Sequence, residues 1–502
     1  MNSCYRRRNG ALGRYLSVYL ILGIATLEAQ PLEEKIDTFL EQAYANKQFN
    51  GNVLVAKQGE VVYHKSFGIS NIDPETPLQL DSQFRLASVS KPVTAMAIMI
   101  LKERGILDYD EPISKYLPEL PYRGVSIRHL LAHTSGIPDY TYLFERYWDP
   151  DHEIFSEKKY ADNDDVISMF IEHKPELRFD PGAQYSYSNT GYVFLASIVE
   201  RASGMPFHEF LKDNICSPLG MSNTLLYSAI RDDPMERRVI GYRLALNGAD
   251  RLRNDFHYMS GISGDGAIYS TTGDLFKWDR GLYTETLVSQ ATLEEAFTPY
   301  TLTSGDKSQY GLGWGIDTSL VGRKVVTHGG GWIAARTWLF REIEDNNCII
   351  VLTNHTSRHI YEIREALERI LHGKPYDSLK PGIADIISPV LESKGVEAAI
   401  GEYYARKESS PDVYNFSLWE LNYLGNRLIE LGRHEEAIEL FRLNAAQFPE
   451  SSRVHSDLGE AVRLNGDPEL AARHFRKSLE LNPENRYARQ KLEEIMGTDE
   501  DP

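Results

Sequence analysis

Short apolar runs bounded by turn residues, as in β-strands, occur at both ends of the first three quarters of the chain. Near the N-terminus, the runs 53–56 and 61–63 flank a Gln58-Gly59 turn, so the pattern predicts a hairpin over 52–68. After residue 310 further apolar runs predict strands. These predicted strands cover 311–316, 324–327, 335–340 and 348–353.

The chain between these strands favours helices and turns. A run with an apolar face predicts a helix over 92–104, the middle of the chain (105–265) is rich in helices and Pro/Gly turns, and 357–371 is amphipathic. Strands at both ends around a helical middle predict an α+β fold with two lobes. One lobe is an antiparallel sheet with flanking helices, and the other is an inserted helical lobe.

The last hundred residues contain an internal repeat. An identical residue lies 34 positions after each of Gly425, Gly432, Ala437, Phe441 and Pro449. A period of this length, with small residues where two helices cross, is the signature of tetratricopeptide repeats. Since two repeats are fewer than such arrays need, we expect the array to rest on the preceding domain or on a second copy.

The N-terminus resembles an export signal. Four arginines precede an uncharged stretch over 15–27, and Ala29 offers a small residue for cleavage. The stretch is too short to span a bilayer comfortably, and an uncleaved anchor is the alternative. We therefore expect a protein exported to a bacterial periplasm or cell exterior, with no membrane attachment beyond this signal.

Composition narrows the function classes. The net charge of −18 argues against nucleic acid as a partner. The cysteines Cys4, Cys216 and Cys348 form no zinc motif, and the last two are expected to be buried free thiols, although pairing stays open. With no dinucleotide fingerprint and no P-loop, we expect neither a metal nor a cofactor.

The first motif that carries chemistry pairs Ser88 with Lys91. If a helix begins near Ser88, the two side chains lie one turn apart on the same face, and the helix N-terminus faces the hydroxyl. A lysine beside a serine can activate it as a nucleophile. Two other S-x-x-K segments lie in charged, loop-like sequence, so the apolar helix after Ser88 singles this one out.

Two further segments supply groups for a cleft. Tyr187 and Asn189 are spaced so that both can point into one site, where a phenol beside a lysine can act as a base and an amide can orient lysine or substrate. His328 begins a run with Gly330 and Gly331, which allow a substrate backbone to approach closely. The N–H groups of Gly331 and Ser88 could form an oxyanion hole.

Together the three segments resemble the motifs of the serine β-lactamase and penicillin-binding-protein superfamily, which follow this chain order. The branch with class C β-lactamases, D-alanyl-D-alanine carboxypeptidases, D-amino acid peptidases and esterases is the most similar, since it has Y-x-N second and H-x-G third. Further similar segments are 127–136, 264–266 and 310–314. The expected organisation is a signal peptide (1–29), a hydrolase domain (30–375), a helical linker (376–414), tetratricopeptide repeats (415–449 and 450–483, with a capping helix to 496) and a disordered tail (497–502).

This resemblance implies roles for the residues. Ser88 is expected to form an acyl-enzyme, Lys91 and Tyr187 to transfer protons, and Asn189, His328, Gly330 and Gly331 to bind substrate. His328 stands where the lactamases of this branch have a lysine, which weakens the case for efficient antibiotic hydrolysis. We also expect His328 to titrate near neutrality, the ordinary range of histidine.

Several functions remain open at this point. The leading hypothesis is an exported serine hydrolase that cleaves an amide or ester, with peptides containing D-amino acids as one substrate class. An esterase or a weak β-lactamase is the alternative within the same chemistry. A third hypothesis is a penicillin-binding or peptide-binding protein that acts through its repeat array.

Overall fold

The computed structural model describes residues 30–148, 160–228, 235–356 and 358–497. The predicted signal peptide and the last five residues of the predicted tail lie outside these ranges. Within them, a six-stranded sheet has the spatial order β3-β4-β5-β6-β1-β2, with every neighbouring pair antiparallel. Its strands are β1 (Gly51–Lys57), β2 (Glu60–Phe67), β3 (Gly315–Thr318), β4 (Lys324–Trp332), β5 (Ala335–Glu342) and β6 (Asn347–Thr353). The prediction of a sheet built from both ends of the domain is confirmed.

The two faces of the sheet pack against different helices. Ten helices occur in the first domain: α1 (Leu32–Ala45), α2 (Lys91–Glu103), α3 (Ile127–Leu131), α4 (Tyr140–Tyr147), α5 (Asn163–His173), α6 (Asn189–Ser203), α7 (Phe207–Leu211), α8 (Thr272–Gly281), α9 (Gln290–Ala296) and α10 (Ile360–Leu371), counted over the described residues. Val53 and its partner Val351 share a core with α1 and α10. Leu54 and Ile350 face the opposite way and share a core with α2 and α6, because side chains alternate along a strand.

Short strand pairs complete the first domain. Phe84–Arg85 and Leu225–Leu226 both pair with Ile268–Ser270, beside the start of α2. The other pairs are Ile69–Ile72 with Glu75–Pro77, and Tyr242–Leu244 with Arg251–Arg253.

Two predicted strands differ from those observed. The strand predicted over 324–327 continues through the glycines to Trp332, because Gly329, Gly330 and Gly331 pair in register with β5. The strand predicted over 311–316 begins only at Gly315. Before it the backbone turns at Gly313, whose φ is +88°.

The C-terminal region is entirely helical among its described elements and has a core of its own. Its helices are α11 (Ile383–Lys394), α12 (Val396–Ser409), α13 (Leu418–Glu430), α14 (His434–Gln447), α15 (Ser452–Leu464), α16 (Pro468–Leu481) and α17 (Arg486–Gly497). Gly425 lies against the ring of Phe441, and Gly459 lies against the ring of Phe475. The two positions are those matched by the internal repeat, so α13–α14 and α15–α16 cross at equivalent small residues.

The helical region rests on the first domain. Arg358 donates to Asp385 at 2.6 Å and to Glu420 at 3.1 Å, and the Ser388 hydroxyl donates to the Leu246 carbonyl at 2.7 Å. Both cysteines of the described residues, at 216 and 348, are free and buried, as expected. Over the same residues, no helix combines the length and apolar character needed to cross a membrane.

Candidate active site

Ser88 and Lys91 meet where a short 3-10 turn passes into α2. The turn covers Ala87–Ser90, and Ala87 has a φ of +49°, which turns the chain just before the serine. Lys91 begins the α-helix and donates from Nζ to Ser88 Oγ at 3.0 Å. The hydroxyl therefore lies at a helix N-terminus with an amine in hydrogen-bond contact, as the spacing predicts.

Lys91 is completely buried and makes three hydrogen bonds. Besides Ser88, its Nζ donates to Asn189 Oδ1 at 2.8 Å and to the Asp265 carbonyl at 2.9 Å. Three donated bonds use all the protons of an ammonium group. The Asp265 carbonyl is a partner that no side-chain pattern reveals, although Asp265 lies in the similar segment 264–266.

Tyr187 and Asn189 lie where the chain enters α6. The Asn189 N–H donates to Asp139 Oδ2 at 2.7 Å, which fixes the start of the helix. Tyr187 is 38% exposed, and Lys91 Nζ lies 4.9 Å from its ring centroid, so the lysine faces the ring. The His133 ring lies 4.2 Å from the Tyr187 ring on its buried side and holds it in place.

His328 is a neutral, buried group here. Its Nδ1 lies 2.8 Å from the Gly329 carbonyl, which only accepts, so Nδ1 carries the proton and Nε2 accepts from the Tyr310 hydroxyl at 2.9 Å. Burial, reinforced by the nearby charge of Lys91, lowers the pKa of His328 to about 3. The expected titration near neutrality is therefore wrong, because sequence does not reveal that the side chain is only 6% exposed.

The glycines bring β4 against the serine. A Cβ on Gly330 would lie 2.1 Å from Thr337 Oγ1 and 3.2 Å from the Ser88 nitrogen. Gly331 is exposed, and the closest atom to a Cβ there would be 3.8 Å away. Gly330 thus permits the close approach of strand and serine, while Gly331 faces open space where a substrate can lie.

Two adjoining cavities form the cleft. The larger, about 800 Å³, is bordered by Tyr187, Tyr310 and His328 and reaches Tyr423 of α13. The smaller, about 180 Å³, is bordered by Ser88. The described residues contain no group of three or more His, Cys, Asp or Glu side chains arranged to hold a metal ion. The site thus joins a serine, a buried lysine and an amide in an open cleft, an arrangement suited to acyl transfer.

Comparisons with known proteins show the family and fold of the chain. The family profile described as Beta-lactamase matches residues 36–373. Penicillin-binding protein 4* of Bacillus subtilis is 35% identical over 466 residues, which cover 91% of this chain and 94% of the relative. A D-aminopeptidase of Gluconobacter oxydans is 26% identical over 65% of this chain and 59% of its own length. The solved structure of an octameric penicillin-binding protein homologue from Pyrococcus abyssi has a TM-score of 0.58 and 27% identity, covering 68% of this chain and 77% of that one.

Proposed function

Because the chain belongs to the beta-lactamase family and is a serine hydrolase of that family, we propose that Ser88 forms an acyl-enzyme with an amide or ester substrate. The observation that carries the proposal is the triplet of hydrogen bonds from Lys91 to Ser88, Asn189 and the Asp265 carbonyl. A serine bonded to a buried lysine at a helix N-terminus is a nucleophile held ready for attack.

The proposed mechanism has two steps. Ser88 Oγ attacks the substrate carbonyl, its proton passes to the Lys91 and Tyr187 pair, and the leaving group receives a proton from the same pair. The backbone N–H groups of Ser88 and Gly331 stabilise the oxyanion. Water, or another acceptor, then attacks the acyl-enzyme and restores the serine.

We propose peptides containing D-amino acids as the substrate class. The D-aminopeptidase and penicillin-binding relatives support this choice. The neutral His328 supports it against efficient β-lactam hydrolysis, because the charge that a lysine would carry there is missing. An esterase or weak β-lactamase is the alternative within the same mechanism.

The C-terminal helices are proposed to be tetratricopeptide repeats that bind a peptide or protein. The equivalent packing of Gly425 on Phe441 and Gly459 on Phe475 supports the repeat assignment. Tyr423 of α13 borders the larger cavity, which supports a role for this region near the substrate. We further propose export to the periplasm or cell exterior, on the basis of the N-terminal sequence.

The test is the intact mass of the protein after exposure to a fluorophosphonate and, separately, to a penicillin, with Ser88→Ala as the control. We expect fluorophosphonate labelling that the variant loses. A lasting penicilloyl adduct as well would favour a wall peptidase, and labelling by the fluorophosphonate alone would favour an esterase or amidase. Labelling by neither would overturn the proposal and leave a binding protein.

A further inference from the structure

Arg85 is a buried cation beside Ser88 whose hydrogen-bonding capacity is unused. Arg85 is only 9% exposed. Its Nε and Nη1 are buried and have no hydrogen-bond partner among the described residues. An unpaired buried guanidinium is costly, since each unsatisfied donor loses its hydration without compensation. Such a group is expected where a ligand supplies the missing acceptor.

Arg85 borders the smaller cavity of the cleft and also a minor neighbouring cavity of about 20 Å³. Arg85 pairs with Tyr269 in a short ladder, directly before the turn that carries Ser88. Its side chain and Ser88 border the same cavity of about 180 Å³. Arg85 therefore lies at the edge of the cleft, and the pairing with Tyr269 fixes its backbone there.

A second unpartnered donor borders this cavity. The indole N–H of Trp332 is buried with no hydrogen-bond partner among the described residues, and the Arg85 Cζ lies 5.6 Å from the centroid of the Trp332 ring. Met259 and Ile262 supply apolar wall. Two kinds of unused donor beside an apolar wall fit an acid group on a short carbon stem.

The nearby carboxylates do not satisfy Arg85. Asp255 is held by Arg238, at 2.5 Å, and by the Gly241 N–H. Asp265 accepts from the Tyr140 hydroxyl at 3.1 Å, and burial raises its pKa by more than the charges of Lys91 and Arg85 lower it. Neither forms an ion pair with Arg85 in the described part of the chain.

We propose that Arg85 and Trp332 form a carboxylate subsite that selects substrates with an acidic side chain on the acyl part. The scissile carbonyl over Ser88 has one substituent in each cavity. Tyr187 borders both cavities and can donate a proton to a leaving group in the larger one, whereas Ser88 and Arg85 border only the smaller of the two. The proposal therefore places the acyl part in the smaller cavity. The planar guanidinium matches a carboxylate with two parallel hydrogen bonds.

The inference rests on the proposed acyl transfer at Ser88 and is tested with a matched pair of substrates. These are the p-nitrophenyl esters of N-acetyl-D-glutamate and N-acetyl-D-glutamine, which differ by a carboxylate against an amide. We expect the wild type to prefer the glutamate ester by at least about tenfold in kcat/KM, the value of one charge-assisted contact. Arg85→Gln should bring the ratio near one, and Arg85→Lys should leave an intermediate ratio because lysine keeps the charge without the fork.

Three controls keep the outcomes separate. Arg323→Gln removes a half-exposed arginine that pairs with Asp345, and it should keep the wild-type ratio. Thermal unfolding by circular dichroism shows whether each Arg85 variant folds. In a Ser88→Ala background, calorimetry should show N-acetyl-D-glutamyl-D-alanine binding at least about tenfold more tightly than its glutamine counterpart, a readout independent of catalysis.

Equal kcat/KM for the two esters in a wild type whose Ser88 is labelled by the fluorophosphonate would overturn the subsite and leave the proposed function standing. A wild-type ratio that survives in folded Arg85→Gln would also overturn it. Failure to label Ser88 would overturn the proposed function and, with it, this inference.

Discussion

The neutral state of His328 predicts a measurable loss of stability in acid. Burial places its pKa at about 3 in the folded protein, whereas an unfolded chain has the ordinary value of about 6.5. A proton therefore binds the unfolded state preferentially. The contribution of the neutral His328 to the free energy of unfolding is fully present above pH 6.5. It is lost progressively as the pH falls from 6.5 towards 3.

The size of this loss of stability follows from the difference between the folded and unfolded pKa values of His328. At pH 5 the unfolded histidine is almost wholly protonated and the folded one is not, so 1.5 pH units of linkage amount to about 2 kcal/mol. His328→Gln removes the titration and keeps an oxygen that can accept from the Tyr310 hydroxyl, the bond that Nε2 makes. The difference between variant and wild type should isolate this residue from the other buried histidines.

The assay is urea unfolding of wild type and His328→Gln at pH 8 and pH 5, followed by tryptophan fluorescence. Between the two values the wild type should lose about 2 kcal/mol more than the variant. The matched control is His208→Gln, since His208 has a half-exposed side chain and should follow the wild type. Parallel losses in wild type and His328→Gln would refute the reasoning that burial holds this imidazole neutral.

Three more predictions concern the site and the helical region. Asn189→Asp puts a carboxylate where Lys91 Nζ now meets an amide oxygen at 2.8 Å. The ion pair that forms should hinder proton transfer through the lysine, and ester hydrolysis at pH 7 should fall on the order of a hundredfold. Gly330→Ala forces a contact of 2.1 Å and should cost about 2 kcal/mol in thermal unfolding, whereas Gly331→Ala should leave the unfolding midpoint unchanged. Arg358→Ala leaves a buried carboxylate of α13 unpaired and should cost about 3 kcal/mol, with faster trypsin cleavage of the linker between the two regions.

Sequence reasoning reached the architecture because the apolar pattern repeats over many residues. The short apolar runs at both ends of the domain specify the sheet, and the repeat of 34 positions specifies the C-terminal helix pairs. It missed the extension of β4 to Trp332, since three glycines have weak strand propensity and only their pairing with β5 holds them in the sheet.

The sequence predicted candidate residues for the site from their types and spacing. It did not predict the surroundings of those residues. The Ser88 and Lys91 spacing fixes their contact through local helix geometry, so sequence alone sufficed for it. The Asp265 carbonyl lies 174 positions from Lys91 and is a backbone group, which no side-chain motif marks. The burial that neutralises His328 and isolates Arg85 is likewise a property of the assembled fold.

The groups around Lys91 determine how its amine is held beside Ser88. Lys91 is completely buried, yet its hydrogen-bond partners among the described residues are a hydroxyl, an amide oxygen and a carbonyl, with no carboxylate. Neutral acceptors hold an ammonium less firmly than an ionised carboxylate does, because the Coulomb attraction is missing. The faces of Tyr187 and Tyr192, at 4.9 Å and 5.6 Å, add a weaker attraction of the same sign. The amine beside Ser88 is thus held 3.0 Å from Ser88 Oγ by neutral acceptors and aromatic faces, with no ion pair among the described residues.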